Sequence, residues 1–146
     1  MKIQYNNLYT HFVFCTLERA PVLREINRVR IEKYITGIIN NNLCKLYAIY
    51  ANPEHLHFLA SRSPCLSEER LATIVADSSE RFIDEHKLTE QNFAWQRSAS
   101  AFSVSKSDVD KVCHYILNQP LHHKKVTYSE EYEQFIKYYQ ETLHKK

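Results

Sequence analysis

The sequence predicts an α+β fold: a ferredoxin-like (RRM-like) antiparallel sheet with helices packed on one face, plus a C-terminal helix that carries a tyrosine. Three observations predict it. Strand-like runs rich in β-branched and aromatic residues recur at Leu8–Leu17, Leu43–Ala51 and His55–Ser61. Apolar residues at helical spacing follow the first run and the third. The order that results, β-α-β-β-α-β with a last strand between Phe93 and Val104, places both helices on one side of a sheet and leaves the opposite face open for a ligand. With 146 residues, of which 44% are hydrophobic, the chain supports one domain over 1–146 with one core, and 121–146 reads as a basic, aromatic tail.

Each element has a local reason. Leu8-Tyr9-Thr10-His11-Phe12-Val13-Phe14-Cys15-Thr16-Leu17 is the first strand, ended by Pro21. From Arg24 to Asn42, Ile31, Ile35, Ile38 and Ile39 recur at helical spacing, and Asn40-Asn41-Asn42 stops the helix. Leu43–Ala51 alternates as a second strand, and Asn52-Pro53 turns it into a third, His55–Ser61, as an antiparallel hairpin. Ser67-Glu68-Glu69-Arg70 resembles a capped helix start, continued by Leu71, Ile74, Val75, Ser78 and Phe82 to about His86. Ser107-Asp108 caps a third helix with the stripe Val109, Val112, Cys113 and Ile116; Pro120 disfavours helical geometry just before it, so this helix ends near Gln119. A final helix begins at Glu130.

Composition excludes several classes. No apolar run approaches the ~20 residues of a membrane-spanning helix, and Met1-Lys2-Ile3-Gln4-Tyr5 begins no signal peptide, so a cytoplasmic protein with no membrane partner is expected. The four cysteines, Cys15, Cys44, Cys65 and Cys113, form no Cys-x-x-Cys pair and read as small buried residues rather than as a zinc knuckle or a disulfide frame. A net charge of +2 does not by itself indicate nucleic acid, because phosphates are neutralised by local clusters of Lys and Arg.

Two short patterns carry chemistry. In the third strand Leu56, Phe58 and Ala60 share one face while His55, His57 and Leu59 share the other, so the two imidazoles can meet one divalent ion. In the third helix Tyr115 and Gln119 stand four residues apart, about 40° from each other around the axis, at the border of the apolar stripe. Each pattern alone is equally compatible with a packed histidine pair, a rim tyrosine and a terminal amide cap.

Read in order, the segments resemble a family. Leu8-Tyr9-Thr10-His11-Phe12-Val13-Phe14 is similar to the opening strand of the single-tyrosine transposases of the His-hydrophobe-His superfamily, the small insertion-sequence and repeat-associated type. Asn52-Pro53-Glu54-His55-Leu56-His57-Phe58-Leu59 resembles their metal strand. Phe93-Ala94-Trp95-Gln96, Ala101-Phe102-Ser103-Val104-Ser105, His114-Tyr115-Ile116-Leu117-Asn118-Gln119 and His122-His123-Lys124-Lys125 resemble the closing half.

The resemblance implies a metal-dependent transposase and nuclease that cleaves and rejoins single-stranded DNA, often at hairpins, through a 5′-phosphotyrosine. It implies Tyr115 as nucleophile, His55, His57 and Gln119 as ligands of Mg²⁺ or Mn²⁺, and a homodimer in which one subunit's tyrosine can complete the other's site. Glu54 is placed to orient an imidazole from behind. An ordinary phenol is only ~0.1% ionised at neutral pH, so the field of the metal or a neighbouring base must assist; His114 and His123 are the sequence candidates for the base. For DNA, Arg24, Arg28, Arg30, Lys106, Lys111, Lys124 and Lys125 are candidate phosphate contacts, and Trp95 and Phe93 are candidates for stacking on bases or, equally, for the core beneath the last strand. A non-catalytic or domesticated single-stranded nucleic-acid-binding module of the same fold is the alternative reading. Two departures stand out: Arg97-Ser98-Ala99-Ser100 replaces a glycine-aromatic-glycine turn, and Leu17-Glu18 stands where relatives carry a lysine. The first requires either a different turn or backbone strain.

Overall fold

A computed structural model describes residues 1–122 and, beyond them, Glu130, Glu131, Glu133, Gln134 and Lys137. Its elements run β1 (Tyr9–Cys15), α1 (Glu25–Asn41), β2 (Lys45–Ala51), β3 (His55–Ser61), α2 (Glu68–Glu85), β4 (Ser100–Val104), α3 (Val109–Leu117) and a single turn, α4 (Gln119–His122). The five residues described further on are helical, in keeping with a last helix from Glu130. The strands form one antiparallel sheet in the order β2-β3-β1-β4, the predicted ferredoxin-like arrangement. No helix among the described residues is long and apolar enough to cross a membrane.

One face of the sheet meets α1 and α2. Phe12 and Phe14 of β1 and Leu56, Phe58 and Ala60 of β3 pack against Ile31, Ile35 and Ile39 of α1 and against Leu71, Val75 and Ile83 of α2. The spacing of four in each helix puts those side chains in one row, which is why both helices lie flat on the sheet. In α2 the buried row is Leu71, Val75, Ser79 and Ile83; Ile74, Ser78 and Phe82 border it, so the expected stripe is rotated by one residue. Ser67 caps α2 as expected, its hydroxyl accepting from Arg70 N at 3.0 Å. Asn42 ends α1.

The other face is not open. The stripe Val109, Val112, Cys113 and Ile116 of α3 requires apolar contact, and Ala48, Leu59 and Val104 provide it, so α3 lies across β2 and β3. A covered face changes the problem for the histidines, which now sit under a helix.

Three further expectations need correction. Of Phe93–Val104 only Ser100–Val104 is strand, with a lone bridge between Trp95 and Thr16. The reason is where the amides go: Phe93 N donates to Asp84 Oδ1 and Trp95 N to Glu80 Oε1, so side chains of α2 replace a neighbouring strand. The chain also re-enters a helical turn at Gln119–His122, with Pro120 in the first turn, where its missing N–H costs nothing. Cys44 is buried as expected, but Cys65 is exposed and Cys15 and Cys113 are half-buried.

The glycine-free segment after Gln96 turns without left-handed backbone: among the described residues, the non-glycine ones with positive φ are Glu18, Arg19, Leu43 and Lys87. Two of them, Glu18 and Arg19, fall at the other departure, beside the position of the absent lysine.

Candidate active site

β-Pairing builds the site. Val13 lies opposite His57 and Cys15 opposite His55, while on the other flank of β3 Tyr50 lies opposite His57. The period of two then aims His55 and His57 at α3, away from the apolar core. Both imidazoles are buried.

α3 supplies the phenol. The Tyr115 ring stands edge-on to His57 with centroids 5.7 Å apart, and one turn further Gln119 enters the same space with a fully buried side chain. The predicted quartet of His55, His57, Tyr115 and Gln119 is therefore brought together within one chain.

A fifth group, missed by sequence reasoning, joins them. Glu131 is 2% exposed, and its carboxylate lies among all four. The Tyr115 hydroxyl donates to Glu131 Oε1 in a short hydrogen bond. Gln119 Nε2 donates to the same oxygen at 3.0 Å. His57 Nε2 is 3.2 Å from Oε1, and His55 Nε2 is 3.7 Å from Oε2. His55, His57 and Glu131 each offer one ligand atom, all within 4.8 Å of one another, so the three form a group able to hold a metal ion. Two imidazole nitrogens and a carboxylate oxygen can hold a divalent ion, and the amide of Gln119 stands beside them.

Around this centre the outer contacts set proton positions. Glu54 Oε1 accepts from His55 Nδ1 at 2.9 Å, which turns Nε2 of that ring inward. Asn52 Nδ2 donates to Gln119 Oε1 at 3.1 Å and lies 3.2 Å from His55 Nε2. Behind His57 stands His11, fully buried, whose Nε2 is 2.9 Å from His57 Nδ1. Burial, and then the neighbouring His57, hold the His11 imidazole well below the ordinary histidine range, against the opposing pull of Glu131.

These residues left unequal traces in the sequence. His11 shares its strand face with Val13, so alternation alone could have placed it beside His57. Asn52 was visible only as a turn residue. Glu131 sits in the acidic and aromatic run Glu130-Glu131-Tyr132-Glu133, where nothing marks one carboxylate from the next.

The DNA candidates divide. Lys106 and Lys111 are exposed, Lys106 in the turn before α3 and Lys111 in the first turn of α3. Lys124, Lys125 and His123 lie outside the described residues, and His114 is exposed. Arg28 does not fit the role, because Glu25 and Glu32 both hold its guanidinium, which stacks 4.6 Å from the Tyr50 ring centroid. Arg24 pairs with Glu90 at 3.0 Å, and Arg30 lies over the Phe82 ring on the helix side. Trp95 is not a stacking platform. Its ring is 1% exposed, wedged edge-on against Phe14 and Phe93, with Nε1 donating to Ser79 Oγ at 2.9 Å. An indole with its polar atom satisfied inside the core has no face left for a base.

Comparison with known proteins places the chain in a family and finds solved structures of similar fold. The model of the family described as "Transposase IS200 like" matches residues 4–119. Among solved structures, a candidate transposase from Deinococcus radiodurans R1 superposes with a TM-score of 0.64 at 21% identity, covering 82% of this chain and 96% of that one. A REP-associated tyrosine transposase bound to a REP hairpin superposes with a TM-score of 0.58 at 15% identity, covering 86% of this chain and 76% of that one. No curated protein matches at a significant level.

Proposed function

We propose that this chain, which belongs to the IS200-like transposase family, cleaves and rejoins single-stranded DNA with Tyr115 as its nucleophile and a divalent metal, Mg²⁺ or Mn²⁺, at His55, His57, Glu131 and Gln119. One observation carries the reading. The phenol of α3 donates to a carboxylate that also faces both imidazoles, so nucleophile and metal-capable group share one buried atom, Glu131 Oε1.

The roles follow from the contacts. A divalent ion bound there would polarise the scissile phosphate and offset its charge. Tyr115 Oη attacks phosphorus; the bond from phosphorus to the 3′ oxygen breaks, leaving a 5′-phosphotyrosine on the protein and a free 3′-hydroxyl once that oxygen takes a proton. Glu131 Oε1 accepts the phenol's proton, a role the sequence left open between His114 and His123. Rejoining is the reverse, with a 3′-hydroxyl displacing the tyrosine. Glu54 and Asn52 hold His55 and Gln119 in place. Lys106 and Lys111 are the phosphate contacts. The REP hairpin bound to one of the structural relatives supports hairpin-containing strands as substrate.

The test is a hairpin-containing oligonucleotide panel incubated with protein and Mn²⁺ and resolved on a denaturing gel. A covalent adduct that vanishes in Tyr115→Phe is expected. His57→Ala should lose cleavage and keep most DNA affinity. Tight binding by the wild-type protein with no adduct across the panel overturns the reading in favour of a binding module. A homodimer is part of the proposal, with each tyrosine acting at its own subunit's histidines. Mixing Tyr115→Phe with His57→Ala subunits should stay inactive; recovered cleavage would show completion in trans.

A further inference from the structure

We propose that His11 is a positioning residue for the metal site: it holds His57 in the tautomer and ring orientation that present Nε2 to the cation. The inference rests on the metal reading above and extends it to a residue outside the ligand set.

The geometry begins with register. His11 lies opposite Leu59 and Val13 opposite His57, so His11 and His57 are diagonal neighbours on one sheet face. Their ring centroids are 5.1 Å apart, and His11 Nε2 lies 2.9 Å from His57 Nδ1. Two ring nitrogens at that distance share a single proton; one donates and the other accepts. On its far side, His57 Nε2 faces Glu131 and belongs to the metal-capable group. A ring nitrogen that binds a metal carries no hydrogen, so a neutral His57 ligating through Nε2 has its proton on Nδ1. His11 Nε2 must then be the acceptor.

Comparison of the two ligands makes the role specific. His55 has its Nδ1 held by a carboxylate, Glu54 Oε1, at 2.9 Å. At the corresponding place behind His57 stands a buried imidazole. The same task is thus met by an anion on one ring and by a second ring on the other. The His11 ring also stands edge-on to Tyr115, with centroids 6.3 Å apart.

A pure packing role predicts something different. Phenylalanine would replace the volume of the His11 ring without its acceptor, whereas glutamine would keep an acceptor oxygen without the ring. Mn²⁺ binding, followed by electron paramagnetic resonance on wild type, His11→Gln and His11→Phe, separates the two. Partners of this kind change metal affinity by ~10–100-fold. His11→Phe should bind Mn²⁺ weaker by that factor, with cleavage at saturating Mn²⁺ restored, and His11→Gln should stay within about threefold of wild type. In Mg²⁺-saturated protein with ¹⁵N-labelled histidine, His57 should show the Nδ1–H pattern, lost in His11→Phe. Equal Mn²⁺ affinity in wild type and His11→Phe, or a wild-type His57 that carries its proton on Nε2 when Mg²⁺ is bound, overturns the inference alone. Wild-type protein that binds no Mn²⁺ overturns the metal reading, and the inference with it.

Discussion

The two faces of β3 are buried to nearly the same degree, yet they do opposite things. Leu56, Phe58 and Ala60 meet carbon under α1 and α2, while His55 and His57 beneath α3 meet nitrogen and oxygen. On the first face burial itself is favourable, at roughly 25 cal/mol for each Å² of apolar surface. On the second, each buried polar group is costly unless a partner satisfies it, and the partners are other site residues. One strand thus keeps its chemistry to a single side of the pleat, where only Leu59 packs carbon against α3. Substitutions on the two faces should therefore fail in different assays.

The largest effect tests the polar face. Tyr115→Phe leaves the ring and its edge contacts in place and removes only the hydroxyl, so the fold should persist. Loss of the attacking atom should lower single-turnover DNA cleavage by a factor on the order of 10⁴ or more. Cleavage within tenfold of wild type would mean that another residue attacks. Phe58→Ala is the mirror experiment on the apolar face. Phe58 stacks on Phe12 with centroids 4.8 Å apart and is fully buried, so truncation should cost about 3–5 kcal/mol in denaturant unfolding. The fraction that stays folded should cleave at the wild-type rate; a specific activity lowered well beyond the folded fraction would show that the faces are coupled.

Glu131→Gln comes next, and it sharpens the polar face by dividing two duties of one carboxylate. As acceptor of the phenol's proton, Glu131 should contribute about 10²–10⁴-fold to the cleavage rate at saturating Mn²⁺. If the glutamine variant instead reaches the wild-type rate once Mn²⁺ is raised, the carboxylate serves as ligand and the proton leaves by another route.

The same pleat explains what was legible in the sequence. Alternation along His55–Ser61 separated the two faces, and the isoleucines of α1 gave its buried row, because both are local periodicities that burial imposes directly. The covering of the second face was harder to see. The apolar stripe of α3 was visible, but which surface it would meet depends on where a chain segment returns in space. Trp95 shows a related limit: an aromatic residue near a strand reads as a surface platform or as core with equal ease, and the hydrogen bond to Ser79 that decides the matter joins positions sixteen apart. Glu131 was not legible at all. A single carboxylate entering from the distal end of the chain has no period, no cap and no motif, and its importance lies wholly in what it approaches.

The smallest effect concerns charge at the rim of the two faces. Lys106 and Lys111 stand exposed on the α3 side, whereas Arg28 is clamped by Glu25 and Glu32. A phosphate contact on single-stranded DNA releases counterions and contributes about 0.7 to the slope of log affinity against log salt. Lys106→Ala and Lys111→Ala should each reduce that slope by roughly this amount, without changing the cleavage rate of bound DNA. Arg28→Ala should leave the slope unchanged, since a guanidinium already neutralised by two carboxylates has little charge to offer a phosphate. A fall in slope for Arg28→Ala equal to that of the lysines would place DNA across the start of α1 as well as α3, and the functional side of the sheet would then extend past its edge onto the helices of the apolar side.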